Sequence, residues 1–543
     1  MNNERMRRRE YLRSAVGAAG LAGLTGSALA AAGSDDDASP STRTTDTGTP
    51  TGTTTTPDGT ATDEFGPLAE IEVSNDNPRF KTTEAVMEPS GRYAFASRFD
   101  GFYVVDCANP ENPEVVATRT DIQSPGGQTI GSLKDLKYNQ GRLMVVTDRG
   151  SDWYGLALYD VRDPANPEPT TSYQTGYPIH NADLHGGYAY LTTGTELEVV
   201  DVAADEPDAV ASWSVTDYDD GYAEVNRNLR NLHDLYVQDG RAYLAYWDAG
   251  TWMLDVSDPS DPSYVGHVAD YTVDELAEIE QDETFAYFLE PEGNDHYVQP
   301  NDDGSLLAVG GESWDYESEQ SEEVDKEASG GPSGIVLWDV EDPDSPERLT
   351  EIEPPEQPED AEEFTTTSHN FEIVGDYLYS SWYRGGVKVH DISDPANPEE
   401  LAHYEDGDQA SFWTAQAGTP GEFFVATSFA HPTEKGGPGG FYTFPDPTDN
   451  DATVTPSGPP VDVSTPTATA TTTPTETATA TPTETATATP TPTDSPTPTT
   501  TDAMAETTDD TETSGGTGPG LGVLSGLAAL GIGAWRLSDA DDE

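Results

Sequence analysis

The sequence predicts an all-β protein, a seven-bladed β-propeller of four-stranded antiparallel blades. Three observations predict it. An apolar strand ending in Asp recurs at Asp106, Asp160, Asp201, Asp255, Asp339 and Asp391, at intervals of 54, 41, 54, 84 and 52 residues. A four-stranded blade needs about 40–50 residues, so the interval suits one blade per copy. Each copy follows a second apolar run across a Gly-containing tight turn, as at Ser90-Gly91 and Asp239-Gly240, which marks a hairpin. Finally, a lone strand at 68–73 stands at the front of the repeat region, where the last copy lacks a strand at its end. Placing it there closes the ring and removes two open sheet edges.

The strands can be taken in order. The Asp-terminated strands are Phe102–Asp106, Leu156–Asp160, Leu197–Asp201, Thr251–Asp255, Ile335–Asp339 and Val387–Asp391, with a seventh, out-of-register copy at Phe441–Asp446. Turns such as Arg162-Asp163-Pro164-Ala165-Asn166-Pro167 and Ser393-Asp394-Pro395-Ala396-Asn397-Pro398 follow them. Asp and Asn cap such turns through their side chains and Pro stops the strand, so these Asp residues read as structural. A preceding strand is visible at Tyr93, Leu143, Tyr188, Ala242, Leu306, Tyr377 and Phe423, and a following one at Val115, Val210, Tyr264 and Leu401. The 84-residue interval carries insertions, read as a helix near 273–281 and an acidic loop over 312–333.

The unit resembles the LVIVD repeat, most nearly at Leu197-Glu198-Val199-Val200-Asp201-Val202. The resemblance spans the whole of 64–449. It implies a β-propeller of the kind found in bacterial and archaeal surface proteins of undefined activity.

The two ends carry addresses. Arg7-Arg8-Arg9-Glu10-Tyr11-Leu12-Arg13 resembles a twin-arginine export motif, with Arg8 and Arg9 as its pair. An Ala/Gly/Leu run follows, with a cleavage site at Ala28-Leu29-Ala30, so 1–32 reads as a signal peptide. Residues 33–63 read as a disordered acidic, Thr-rich linker. Residues 450–517 read as a disordered Thr/Pro-rich stalk, because such a composition buries too little surface to fold. In 518–543, Pro519-Gly520 before an apolar stretch to Trp535 and then Arg536 is similar to the PGF-CTERM sorting signal of haloarchaeal surface proteins. Leu521 stands where that family has Phe. The resemblance implies processing by an archaeosortase-type enzyme after passage through the twin-arginine translocase. The 18 residues from Gly518 to Trp535 also read as a C-terminal hydrophobic helix, a short membrane anchor. Either way the domain is expected outside the cytoplasm, held to the membrane or cell envelope.

Charge sets the background. The 543 residues hold 25 Lys and Arg against 101 Asp and Glu, a net −76. That excludes a nucleic-acid binder working through a basic surface. It also requires salt to screen self-repulsion, which reads as adaptation to high salt. A single cysteine, Cys107, excludes an internal disulfide.

Against that background the few His and Arg residues stand out. Aligning the hairpins puts His180, His233 and His369 at one equivalent position, where the innermost strands of three blades begin. The innermost strands begin Lys134-Asp135, His180-Asn181, His233-Asp234, Asn294-Asp295 and His369-Asn370. Arg98, Arg149 and Arg384 fall in loops of the same face, with Trp247 and Trp382 nearby. Three readings stand side by side. The polar residues cap strands and pair between blades. Or the Arg and Trp residues with Asp234 form a site for an anion or glycan. Or the three histidines converge on one divalent metal. The first functional expectation is a non-enzymatic surface binding or cell-envelope module without a cofactor. The alternative is an extracytoplasmic metal-dependent oxidoreductase or hydrolase using these histidines.

Overall fold

A computed structural model describes residues 65–452, apart from 78, 121, 205, 282, 288–290, 314–330, 357–365, 432–436 and 451. The signal, stalk and sorting segments lie outside the described residues. No helix among the described residues is long and apolar enough to cross a membrane.

Seven four-stranded antiparallel sheets form the ring. Blades 1–6 span Ala85–Thr120, Leu136–Gln174, Ala182–Trp213, Asp234–Val268, Asp295–Ile352 and Phe371–Tyr404. Blade 7 consists of Phe412–Thr419, Phe423–Ser428 and Gly439–Pro445, completed by Ala69–Val73 from the other end of the domain. The closing strand pairs antiparallel with Gly439–Pro445, Ile71 opposite Phe441. Leu68 N–H donates to the Thr443 carbonyl at 2.7 Å. Phe65, just before that strand, stacks on Phe424 and Phe444. The ring therefore closes as the lone front strand predicts.

Burial explains the strand compositions. The second and third strands of most blades are buried on both faces, as in Arg142–Val146 and all but the last residue of Gly101–Asp106, because neighbouring blades cover them. They read as continuous apolar runs for that reason. The core is divided among the seams between blades. Phe95, Phe102 and Val104 of blade 1 pack against Leu143, Val145 and Tyr159 of blade 2, for example. Outermost strands such as Glu114–Thr120 alternate toward solvent.

The strand-ending aspartates are turn caps in all seven blades. Oδ1 of Asp106, Asp160, Asp201, Asp255, Asp339, Asp391 and Asp446 accepts from the backbone N–H two residues on, at 2.8–3.0 Å. Cys107, beside the first of them, is buried, and burial pushes its thiol up to about 12. The blade 5 insertion contains the helix Val273–Ala277, shorter than the predicted 273–281. It opens on a Thr272/Glu275 capping box and ends at Glu278.

The innermost strands line a central channel and are stitched side chain to backbone. Asp135 accepts from Ala182 N–H, Asp183 from Val237, Gln299 from Ile373 and Glu372 from Ala417. Each bond links one blade to the next and fixes the neighbour's register.

Two outcomes follow. Removing residues 65–73 uncovers Phe424 and Phe444 and exposes the paired edge of Gly439–Pro445. It is expected to cost at least about 3–5 kcal/mol, the loss on truncating one buried aromatic. Denaturant unfolding in high salt measures it, and unchanged stability would contradict closure. The second outcome concerns Glu372. Burial, only partly offset by the Ala417 hydrogen bond and reinforced by Glu84, raises its carboxyl from 4.5 to about 8. The unfolded group ionises first as pH rises, so the folded state binds the extra proton. Stability is lost between those two values. Glu372→Gln is expected to abolish that slope and to be more stable than the parent above pH 8, by roughly 2–4 kcal/mol. Unfolding midpoints at pH 5 and pH 9 check it.

Candidate metal centre at the channel mouth

The residues that lead into the innermost strands meet at one end of the channel. Blade 2 contributes Lys134, blades 3–6 contribute His180, His233, His296 and His369, and blade 7 contributes Trp413. Successive rings form an arc. Centroids lie 4.9 Å apart for His180–His233, 4.0 Å for His233–His296, 4.6 Å for His296–His369 and 4.2 Å for His369–Trp413. His233, His296 and His369 are all buried.

Hydrogen bonding fixes the tautomers. His180 Nδ1 lies 2.9 Å from Asp148 Oδ2 and His369 Nδ1 lies 2.6 Å from the Trp413 carbonyl. His233 Nδ1 faces the His296 carbonyl at 3.3 Å. Carboxylate and carbonyl oxygens only accept, so each Nδ1 carries the proton and donates. The Nε2 lone pairs of His180 and His233 are thereby left for something else, while that of His369 faces His296 Nε2. That is the outer-shell arrangement of metal-binding histidines. His233 Nε2 is buried and has no hydrogen-bond partner among the described residues. An orphaned buried nitrogen costs about 1–3 kcal/mol.

His296 and Glu312 complete the group. His296 Nδ1 lies 2.9 Å from Glu312 Oε2, and His296 Nε2 lies 3.2 Å from His369 Nε2. Two imidazole nitrogens on one tetrahedral ion, with bonds of about 2.0–2.1 Å, stand about 3.3 Å apart. One ligand atom each from His233, His296 and Glu312 lie within 4.8 Å of one another, and among the described residues this is the group with such geometry. The Tyr383 hydroxyl donates to the second oxygen of Glu312.

The electrostatics keep His233 and His369 neutral. Burial first, then the neighbouring His296, His180 and His369, holds His233 well below its ordinary value. Burial and His296 lower His369 to about 3, against the opposing pull of Glu312 and the Trp413 carbonyl. Burial pushes Glu312 up, but His296, His369 and the Tyr383 hydroxyl outweigh it and leave the carboxyl below its ordinary value. Neutral imidazoles beside an ionised carboxylate are a donor set for a borderline transition ion.

His296 and Glu312 escape a sequence reading for definable reasons. In blade 5 the pairing jumps from Asp295–Gly311 to Tyr297–Gly310, a β-bulge that leaves His296 as the extra residue. Hairpin alignment therefore points to Asn294-Asp295, and the structure corrects this to His296. Glu312 follows directly on the strand Leu306–Gly311, at the start of what reads as a solvated acidic loop, yet it is buried. An acidic run hides one inward carboxylate.

The other sequence-predicted residues disperse. Trp247 is buried and stacks on His233 at 5.7 Å. Its φ of +38°, like the +47° of Tyr383 in the matching loop of blade 6, is a backbone strain that turns a large ring toward the mouth. Asp234 is buried with Oδ2 unpartnered among the described residues, and burial raises it well above its ordinary value. It lies in the channel and is not offered to a surface ligand. Trp382 is a further correction: it is fully buried, its indole N–H donating to Ser380 Oγ at 2.8 Å, so it presents no platform for a sugar ring. Arg98 pairs with Asp100. Arg384 donates to the Gly407 carbonyl at 2.6 Å and stands 3.6 Å from Asp408. Arg149 is exposed, and its carbonyl accepts from Ser132 Oγ at 2.6 Å.

Residues 230–270 and 367–406 match the LVIVD repeat family. The chain carries LVIVD repeats. The two matched repeats fall on blades 4 and 6 and contain His233 and His369. No curated protein matches the chain. Among solved structures, a Bacteroides uniformis protein described as a candidate 6-phosphogluconolactonase is 10% identical, with 58% of this chain and 82% of that one covered and a TM-score of 0.39. A functionally unknown protein from Desulfotomaculum acetoxidans is also 10% identical, with 62% and 92% covered and the same TM-score of 0.39. Likeness at this level says nothing about the chemistry of the site.

Asp148 links His180 to Lys134, whose Nζ lies 2.9 Å from the same carboxylate oxygen. Asp148→Ala leaves a buried ammonium unpaired. It is expected to destabilise by about 3–5 kcal/mol, with little relief from salt because the pair is sealed from solvent. Denaturant midpoints at two salt concentrations check both points.

Proposed function

We propose that this propeller is a metal-binding module, displayed outside the cytoplasm, that holds one divalent transition ion at its channel mouth. The carrying observation is the meeting of His233, His296 and Glu312 within ligand reach, with His233 Nε2 buried and unpartnered. His369, 3.2 Å from His296, is the fourth donor, and His180 extends the arc. Imidazole with one carboxylate suits zinc, copper or iron better than calcium or magnesium. The Asp148, Trp413 and His296 acceptors would hold the rings in the ligating tautomer. The twin-arginine pair Arg8 and Arg9, the cleavage site at Ala30 and the Pro519-Gly520 motif support export and surface attachment. The Thr/Pro stalk supports display away from the membrane.

Protein purified in high salt and loaded with zinc, copper or iron is expected to retain about one ion per chain. His233→Ala, His296→Ala and Glu312→Gln are each expected to reduce it to background by elemental analysis. An ion held at a thousandfold over its Kd adds about 4 kcal/mol of stability, so chelation is expected to lower the unfolding midpoint of the parent and not of the variants. Absence of metal from the loaded parent would refute the proposal.

A further inference from the structure

The arc of histidines occupies blades 3–6. Lys134, from blade 2, joins it at one end through Asp148, whose Oδ2 lies 2.9 Å from both Lys134 Nζ and His180 Nδ1. It is an unusual side chain to find there. It is one of only six lysines in the chain and is 3% exposed. Its Nζ stands 2.9 Å from Asp148 Oδ2 and 4.5 Å from the centre of the Phe80 ring, but makes no hydrogen bond of good geometry among the described residues. An ammonium has three N–H donors. One carboxylate and one ring face leave donor capacity unspent in a place sealed from bulk water. Burial is the largest influence on Lys134 and, joined by Arg149, leaves it below its ordinary value, while Asp148 and then Glu312 favour its charge. Lys134 thus lies within electrostatic reach of the carboxylate of the proposed centre. The wall beside it is apolar, formed by Phe80, Trp413 and Tyr383. At the other end of the Asp148 bridge, His180 is the least buried imidazole of the four, its side chain 14% exposed.

We infer that the channel mouth takes a small anion, a carboxylate or inorganic oxyanion class of ligand, bound between the metal ion and Lys134. This rests on the metal reading above. An ion with a net positive charge and a buried ammonium would together form a clamp for a negative charge, and the low dielectric of a buried site strengthens both contacts. The apolar wall limits the size of the ligand and removes competing hydrogen bonds. Asp148 has a second role in this arrangement: it holds Lys134 charged and also orients His180 at the rim. Because the rest of the surface is strongly acidic, the clamp would be one of few places where an anion is drawn to this protein.

The test uses the full chain loaded with copper(II) or cobalt(II) in chloride-free high salt, with the metal quantified first. Azide and then formate are titrated while the visible absorption of the ion is followed. The expected result is a saturable shift with azide and with formate, and none with a neutral ligand of similar size such as methanol. Lys134→Gln is expected to keep its metal and lose at least about tenfold in azide affinity, and Lys134→Arg to stay within about threefold of the parent. Metal bound in the parent with no anion-dependent shift, with equal response to methanol, or with Lys134→Gln unchanged would overturn the inference and leave the metal reading standing. Absence of metal from the loaded parent would overturn both, and the elemental analysis tells the two failures apart. The comparison of anions with methanol uses the parent alone, so it decides the matter even if Lys134→Gln does not fold.

Discussion

The structure depends on closure of the ring. A blade whose second and third strands are apolar on both faces cannot exist with one face in water, and seven of them bury both faces only as a closed circle. The pairing of Ala69–Val73 with Gly439–Pro445 makes that circle. It joins the two ends of the domain, covers the edge of Gly439–Pro445 and puts the Phe65, Phe424 and Phe444 stack under cover. Everything at the centre follows from it, because the channel is defined only once all seven innermost strands are held at fixed angles.

Closure also creates an electrostatic problem. The channel gathers Glu84, Asp135, Asp183, Asp234 and Glu372 from different blades, in a chain already far too acidic. The protein meets this in three ways. Some carboxylates accept backbone N–H groups of the next blade, as Asp183 and Glu372 do. Lys137 lies against Asp135 and acts on Glu84 and Asp234. Burial also shifts several of them upward, Glu84 to about 7 with its acidic neighbour Asp135 adding to it, against the pull of Lys137. The mouth is a different environment. There the ring positions carry imidazoles instead of carboxylates, and their Nδ1 protons are consumed by fixed oxygen acceptors. His233 and His369 are buried there and held below their ordinary values, and His233 Nε2 has no hydrogen-bond partner among the described residues.

The repeat explains how such a row can arise. Equivalent positions in successive blades point at one axis, so a His that recurs at the start of an innermost strand brings its ring to the same place each time. His233 and His369 sit in the two stretches that most resemble the LVIVD repeat and are the regular members. His296 is an irregular one, delivered by a bulge, and Glu312 arrives from the insertion in the same blade. The cation of Lys134 stands where a further His would be in blade 2. The centre is therefore a repeat-built frame modified in one blade.

The sequence by itself determined the architecture. Strand period, the Asp-Pro turns and the unpaired strand at 68–73 are local signals, and each has a local physical cause: alternation of burial, side-chain capping of the next turn, the cost of an open edge. The seven Asx-type caps show how literal those signals were. It also singled out His180, His233 and His369, because they occupy one position in the repeat. Only the tertiary structure decided which residues join them. The bulge at His296 moves one residue out of register, which no alignment of hairpins registers. Glu312 turns inward out of an acidic run whose composition reads as solvated. Trp382 goes the other way, a large ring that reads as a surface platform and is consumed by the blade core. A site at the axis of a ring is made of side chains brought together by seven separate strands, and their distances are set by the angle between blades, a property of the closed ring and not of any one repeat.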